Sequence, residues 1–168
     1  MLKLLIYAPC EKVILAADDQ TVSLISIMES VKVNIAGEIP ANAVAPIQWS
    51  ILSLWKRDQD VPEPIEIEER SEVFRPDDTM VTGGISKITV SNEHVFYRSI
   101  LTIPVFPIGL PGMVKVRCHT RQTNPETDWV EFAEFPLFVI HLPVENSEEA
   151  KPEADAVRAS NPGQKADE

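Results

Sequence analysis

The sequence is poor in the residues that build metal, redox and phosphate-binding sites. Its 168 residues include two cysteines, three histidines and six glycines. Cys10 and Cys118 lie far apart in the chain and have no metal-type spacing. We therefore expect two buried free thiols in a reducing cytoplasm, the alternative being one disulfide between them.

Long apolar runs are also lacking. No stretch reaches the roughly 18 apolar residues that a membrane-spanning helix requires, which excludes such a helix. Near the start of the chain only residues 4–8 are continuously apolar, and this run is too short for the core of an export signal. The sequence therefore predicts a cytoplasmic protein.

Positive charge is in deficit. The chain carries 15 Lys and Arg residues against 26 Asp and Glu residues, a formal net charge of -11. Such a charge repels phosphate backbones and anionic lipids, and no basic patch is large enough to offset it. We therefore expect neither a nucleic acid nor a membrane as a partner.

Helical periodicity is absent as well. In residues 1–144 no apolar repeat of helical spacing persists for three turns, whereas about eight strand-like runs alternate with turn signals. This pattern predicts one domain, residues 1–144, with an all-β, antiparallel β-sandwich fold of Ig-like or C2-like type. Residues 145–168 hold 7 acids, 3 bases and one Val, but no Leu, Ile, Phe, Tyr or Trp, which predicts a disordered acidic tail.

The segment 49–57, WSILSLWKR, is the predicted centre of the fold. Trp49 and Trp55 fall on one face of an extended chain, and Leu52 and Leu54 fall on the other. A strand that is apolar on both faces needs cover on both, so we expect a central strand. The other predicted strands are residues 2–16, 22–28 with 31–36 (one bent strand or two short ones), 65–74, 85–90, 95–105, 113–121 and 129–142.

Several residues predict local features of these strands. Residues 18–20 predict a hairpin turn, and Pro9 predicts an edge position or a bulge in the first strand. Glu69 predicts an edge strand at residues 65–74. Gly83 and Gly84 predict a turn. They do not predict a phosphate loop, because the Lys and the Ser or Thr of such a loop are missing. Residues 104–112 predict a rigid crossing, and Pro136 predicts a bend.

Short motifs along the chain resemble a bacterial family of uncharacterised single-domain proteins. The resemblance covers about residues 5–142 and implies a compact β domain with no assigned activity, so it supplies no catalytic residue. The motifs are residues 10–13 (CEKV), 23–27 (SLISI), 49–50 and 54–55 (WS and LW), 75–77 (RPD), 107–109 (PIG), Trp129 and 135–136 (FP).

No stretch combines residue types and spacing into an active site or a cofactor site. His94, His119 and His141 lack Cys, Asp or Glu partners at ligand-like spacing, which argues against zinc. No nucleophile elbow of the G-x-S-x-G type is present, although partners of a triad can also meet in space. We therefore expect no enzyme and no cofactor, the alternative being an enzyme with a site built from sandwich loops.

Acid pairs in three loops form the one candidate metal site. If the strands run up and down in sequence, these loops meet at one end of the sandwich, where their carboxylates would hold Ca²⁺ as in C2-type modules. The alternative is that these acids are ordinary turn residues. The candidates are Asp18, Asp19, Asp58, Asp60, Glu126 and Asp128.

Two charged stripes form the candidate interaction face. We expect each to be a solvated sheet face, with Lys115 and Arg117 meeting acids such as Glu131 and Glu134. The alternative is a binding surface for another protein, or salt-sensitive head-to-tail association of copies. The function predicted from the sequence is a non-enzymatic protein-binding or scaffolding module. The basic stripe is Lys115, Arg117, His119 and Arg121, and the acidic stripe is Glu66, Glu68 and Glu72.

Overall fold

The computed structural model describes residues 2–17, 21–58, 64–91 and 94–144, and in these ranges it contains strands and loops but no helix. The predicted all-β class is confirmed. The predicted tail lies outside the described residues. The strands are β1 (Leu2–Leu15), β2 (Val22–Ile27), β3 (Ser30–Ile35), β4 (Val44–Ala45), β5 (Trp49–Arg57), β6 (Ile65–Phe74), β7 (Met80–Val90), β8 (Phe96–Ile103), β9 (Phe106–Pro107), β10 (Gly112–Gln122) and β11 (Val130–Pro143).

The strands form two large sheets and one small one. Sheet A has the order β2-β1-β5-β8, sheet B has the order β3-β11-β10-β6-β7, and β4 pairs with β9. The β3–β11 pair is parallel, so the expectation of a wholly antiparallel fold is wrong at this pair. The chain leaves sheet A at Ile27 and enters sheet B at Ser30 without forming a hairpin with β11. β3 therefore lies beside β11 with both strands running in the same direction. The described residues hold no helix that is long and apolar enough to cross a membrane.

Strand β5 is the centre of sheet A, as predicted. It lies between β1 and β8 and has the predicted bounds. Trp49, Ile51 and Trp55 are buried in the core, and Leu52 on the opposite face is also fully buried. The two-sided apolar pattern therefore identified a strand that is buried on both faces.

Two predicted edge strands are interior strands. β1 lies between β2 and β5 and continues through Pro9, while its register shift falls between Leu4 and Ile6. The Pro9 carbonyl accepts a hydrogen bond of 2.9 Å from the Met28 amide. Because the N–H and C=O of a strand residue point to the same side, the missing N–H of Pro9 faces the end of the β2 ladder and removes no bond to β5. β6 lies between β10 and β7, so the edge position predicted from Glu69 is wrong.

Gly83 and Gly84 lie inside β7, so the predicted turn at this position is also wrong. The turn before β7 is closed by a 2.9 Å bond from the Arg75 amide to the Thr79 carbonyl, with Asp78 at a φ of 60°. A Cβ atom on Gly84 would lie 2.7 Å from a methyl carbon of Leu101 in β8. Gly84 therefore leaves room for the Leu101 side chain where β7 approaches β8.

The remaining local expectations concern the connections. β1 and β2 form the predicted hairpin, and residues 22–36 form two short strands, as one of the two alternatives held. Residues 104–112 carry the chain from sheet A to sheet B, with β9 on the way. β11 keeps its register through Pro136, and the shift in its ladder lies between Cys118 and His119 of β10.

Both large sheets contribute to two hydrophobic clusters. Around the start of β5, Trp49 and Ile51 pack with Val73, Val116 and Leu137 of sheet B. Around its end, Trp55 and Tyr97 of sheet A pack with residues of sheet B, namely Ile67, Ile88, Val90 and Cys118. The two sheets therefore share one interior, and the side chains of β5 extend through both clusters.

Candidate functional site

A buried polar layer separates the two hydrophobic clusters. Glu69 in β6 is 4% exposed. Its Oε2 atom accepts hydrogen bonds of 2.6 Å from Ser53 Oγ and 2.6 Å from Trp55 Nε1, both in β5. Beside it, the Tyr7 hydroxyl donates to the Arg117 carbonyl at 3.1 Å and lies within hydrogen-bond distance of Ser71 Oγ at 3.2 Å. This layer joins sheet A to sheet B through hydrogen bonds as well as packing.

The polar layer is closed to solvent. Ser53 is 1% exposed and Ser71 is 2% exposed. Burial raises the pKa of the Tyr7 phenol and the pKa of the Cys118 thiol, so both groups stay neutral. Cys10 and Cys118 are free and buried, as predicted. A closed layer of bonded groups can align the sheets, but it offers a substrate no access.

The two charged stripes lie side by side on the outer face of sheet B. β10 pairs with β6, so Arg117 stands opposite Glu72 and Arg121 stands opposite Glu68. Arg121 contacts Glu68 at 2.8 Å, and this hydrogen-bonded partner lowers the pKa of the Glu68 carboxyl. Arg117 binds Glu134 at 2.8 Å, and its guanidinium pKa is raised by that bond.

The other members of the stripes also meet charged or polar neighbours in the chain. Lys115 contacts Asp78 at 2.5 Å, and Arg121 also contacts Glu126 at 2.6 Å. His119 lies between Glu72 at 3.3 Å and Glu131 at 3.6 Å. Glu66 accepts a bond of 3.4 Å from Thr123. The stripes thus bond within the chain, and head-to-tail association through them stays a prediction.

Trp129 completes this face. Its ring lies beneath two guanidinium groups, Arg70 at 4.5 Å and Arg121 at 4.9 Å from the ring centroid. Such cation–π contacts hold both arginines close to the sheet. The outer face of sheet B at β10 and β6 is therefore a network whose basic and aromatic groups are already occupied.

The acidic loops do not all converge. Leu2 of β1 pairs with Arg57 at the end of β5, while Leu15, at the other end of β1, pairs with Val22. The loop after β1 therefore leaves sheet A at the end opposite to that of Asp58. In the described residues no three His, Cys, Asp or Glu side chains are grouped to hold a metal ion. Glu126 bonds Arg121, Asp128 lies in the loop before β11, and Asp18, Asp19 and Asp60 lie outside the described residues.

Two open clefts lie at the edge of the molecule formed by β2 and β3. The larger, of about 650 Å³, is lined by the ends of β3 and β11 and by Gly109 and Pro111. Its histidine, His141, is already bonded through Nε2 to the Ile108 carbonyl at 2.7 Å. The smaller, of about 440 Å³, lies where the chain crosses from β2 to β3 beside Trp49. His94 lies apart from both clefts, in the loop before β8.

The outer face of sheet A is the largely apolar surface that sequence reasoning missed. Alternation along β5 places Leu52 and Leu54 on this face, opposite the core. The register adds Ala8 beside Leu52 on β1 and Ile100 beside Leu52 on β8. Leu52, Ala8 and Cys10 are buried and form a floor. The rim around it is open, with Ile6 37%, Ile100 36%, Ile27 54% and Phe96 55% exposed.

One end of this face is basic. Lys3 of β1 pairs directly with Lys56 of β5, and Lys56 pairs in turn with Phe96 of β8. Arg98 stands one pair further along, opposite Leu54. All three cations point outward with Leu54, and the outward strand positions beside them hold no acid. The signal that identifies this face was present in the sequence: a central strand with a second apolar side.

The comparisons with known proteins add no activity. No protein-family model matches the chain, and no curated protein is significantly similar to it. This agrees with the resemblance to a family that has no assigned activity. Among solved structures, a family 123 glycoside hydrolase from Clostridium perfringens, studied for glycolipid glycan hydrolysis, is similar over 84% of this chain and 28% of its own, at 6% identity and a TM-score of 0.43. The chain thus spans less than a third of that enzyme, and a likeness of this degree carries no inference about function.

Proposed function

We propose that the chain is a non-enzymatic protein-binding module of the bacterial cytoplasm. Its two large sheets would pack as a β-sandwich, and the outer face of sheet A, defined by Ile6, Ala8, Leu52, Leu54 and Ile100, would receive the partner. The proposed interaction face thus differs from the charged stripes of sheet B that the sequence suggested, because the charges of those stripes already bond one another.

A single observation carries this proposal: β5 is apolar toward both sides, and sheet B covers one side. The apolar floor of the other side has a rim of residues that are 36–55% exposed. Contiguous exposed apolar surface of this kind is typical of protein interfaces. A partner that covers this rim would bury the apolar side chains that surround the floor.

The polar groups of the chain support binding over catalysis. The buried layer around Glu69 is closed, and the larger cleft holds two ionisable side chains, Glu38 and His141, of which His141 is bonded to the Ile108 carbonyl. An enzyme would need convergent polar groups within reach of a substrate. In the described parts of the chain, the convergent polar groups are either buried without access or bonded on the outer face of sheet B.

The test is affinity purification with quantitative mass spectrometry, using tagged wild-type, Ile100→Glu and Phe138→Glu chains. Phe138 is a matched control, because it is an exposed apolar residue on the outer face of sheet B. We expect a defined set of proteins to be retained by wild type and Phe138→Glu and depleted at least about tenfold by Ile100→Glu. Equal retention by all three chains, or depletion by Phe138→Glu alone, would contradict the proposal.

A further inference from the structure

We propose that the basic end of this face, Lys3, Lys56 and Arg98 around Phe96, binds carboxylates of an acidic partner segment whose apolar side chains cover the neighbouring rim. This inference deepens the proposed function, since it names the chemistry of the partner at the same face. The occupant is an amphipathic peptide segment with alternating acidic and apolar side chains.

The cations at this end have no partner of opposite charge among the described residues. Lys3 and Lys56 are directly opposite each other on neighbouring strands. Directly opposed residues have Cβ atoms about 5 Å apart and diagonal ones about 7–8 Å apart, so Arg98 belongs to the same cluster. Like charges in this arrangement destabilise a sheet, which makes the cluster a feature that folding alone does not explain.

The contrast with sheet B strengthens this inference. On the outer face of sheet B the basic residues meet acids of the same chain, as Arg117 meets Glu134 and Arg121 meets Glu68. The chain as a whole carries a formal net charge of -11. Three neighbouring cations that meet no acid among the described residues, beside an apolar rim, present a local surface complementary to a negatively charged, partly apolar ligand.

An acidic peptide fits this surface better than the other anionic ligands. Nucleic acids and anionic membranes bind through larger basic surfaces, and the remaining charge of the chain repels them. The rim residues Ile6 and Ile100 offer apolar contacts that a phosphate backbone cannot use. An extended peptide places side chains alternately on two sides, so a peptide lying along β5 can direct acids to one end and apolar groups to the rim.

A second copy of the chain and its own C-terminal residues are the other occupants. Two copies joined through this face around a twofold axis would bring two sets of cations into one interface, which opposes such a dimer. Residues 145–168 supply 7 acids but one Val and no larger aliphatic residue. They would neutralise the cations and leave the rim open.

Fluorescence polarisation with labelled peptides tests the inference on the full chain. The probes are an octapeptide of alternating Leu and Glu, its Leu and Lys counterpart, a peptide of residues 145–168, and a short single-stranded DNA. We expect the Leu and Glu peptide to bind, and binding to weaken as NaCl rises from about 50 to about 300 mM. Lys56→Glu should weaken this binding at least about tenfold.

Lys32→Glu is the matched control, because Lys32 is exposed on β3 of sheet B and its substitution changes the net charge equally. It should leave binding within about twofold. The inference is overturned if the Leu and Glu peptide fails to bind, if Lys32→Glu weakens it as much as Lys56→Glu, or if the Leu and Lys peptide, the DNA or the peptide of residues 145–168 binds more tightly.

The same variants separate this inference from the proposed function. If Ile100→Glu depletes the purified partner while Lys56→Glu leaves it unchanged, the face binds protein but its partner is not acidic. If neither variant changes the purified proteins and the acidic peptide still binds through Lys56, the chemistry of the basic end holds and the wider interface does not. Melting temperatures within a few degrees of wild type verify that both variants fold.

Discussion

Glu69 allows a sharp test of how the two sheets are held together. Its Oε2 atom accepts hydrogen bonds from the Ser53 hydroxyl and the Trp55 indole N–H, each at 2.6 Å, and the residue is 4% exposed. Glu69→Leu keeps an apolar side chain of similar length but removes the acceptor of two buried donors. Glu69→Gln keeps an oxygen at the point where both donors converge. The two variants therefore separate the loss of charge from the loss of the acceptor.

The expected magnitudes differ clearly. A buried donor left unsatisfied costs about 1–3 kcal/mol, so Glu69→Leu, which leaves two such donors, should lower the free energy of unfolding by about 2–6 kcal/mol. This is a large part of the roughly 5–15 kcal/mol that stabilises a typical domain. Glu69→Gln should lower it by about 1 kcal/mol, because weaker neutral bonds replace charge-assisted ones while the desolvation of a charge is avoided. Adding Ser53→Ala to Glu69→Leu removes one stranded donor and should recover about 1 kcal/mol.

Guanidinium denaturation followed by circular dichroism and tryptophan fluorescence provides the measurement. Trp55 donates to the mutated group, so its emission also reports on the loss of that bond. Glu66→Leu is the control, because Glu66 is exposed on the same strand and should change stability by less than about 0.5 kcal/mol. A Glu69→Leu chain as stable as wild type, or a Glu69→Gln chain as unstable as Glu69→Leu, would refute the structural role assigned to the carboxylate.

Two further predictions concern stability. Gly83→Ala should destabilise the chain by about 1–3 kcal/mol, and by more than Gly84→Ala. The new Cβ meets the Ser71 carbonyl oxygen at 2.8 Å in the first variant, whereas it meets a movable Leu101 methyl carbon at 2.7 Å in the second. Thermal melts that rank the two variants the other way would contradict this prediction. The Glu68 carboxyl has a pKa lowered by its bond to Arg121, so the unfolded state binds its proton at a higher pH than the folded state. Stability present above the usual Glu pKa of about 4.3 should therefore be lost as pH falls through the folded pKa, and Arg121→Gln should flatten this dependence in denaturation curves measured between about pH 6 and 3.

Period-two patterns in the sequence located strands reliably where one apolar pattern dominated. β5 and β6 have the predicted bounds, and residues 22–36 divide at Met28 and Glu29, next to the predicted break at Glu29–Ser30. The all-β class follows from these local patterns. The sheet order does not, because it depends on which strands meet after long-range closure. The parallel pairing of β3 with β11 joins segments about a hundred residues apart, and no local signal encodes it.

The incorrect predictions came from residues whose structural role depends on their neighbours in the folded chain. Pro9 lacks an N–H, but that atom would have faced the end of β2, so an interior strand tolerates it. Glycines are common in turns, yet Gly83 and Gly84 lie inside β7, where they permit close approach of Ser71 in β6 and Leu101 in β8. Glu69 looked like a guard against edge pairing, whereas its partners Ser53 and Trp55 lie on a strand of the other sheet. In each case the deciding neighbour is distant in sequence.

The two sides of β5 face different surroundings, so substitutions on each side test stability and the proposed binding separately. Trp49 and Trp55 face the core, where Trp55 also bonds Glu69, so changes on that side should act on folding. Leu54 and Lys56 face outward, where the apolar rim is open and Lys56 stands against Lys3. Since opposed like charges disfavour the sheet by about 0.2–1 kcal/mol, Lys56→Glu should raise stability slightly while weakening binding of an acidic segment. Stability and the proposed binding of an acidic segment therefore favour opposite charges at position 56, so the Lys56→Glu variant tests both effects at once.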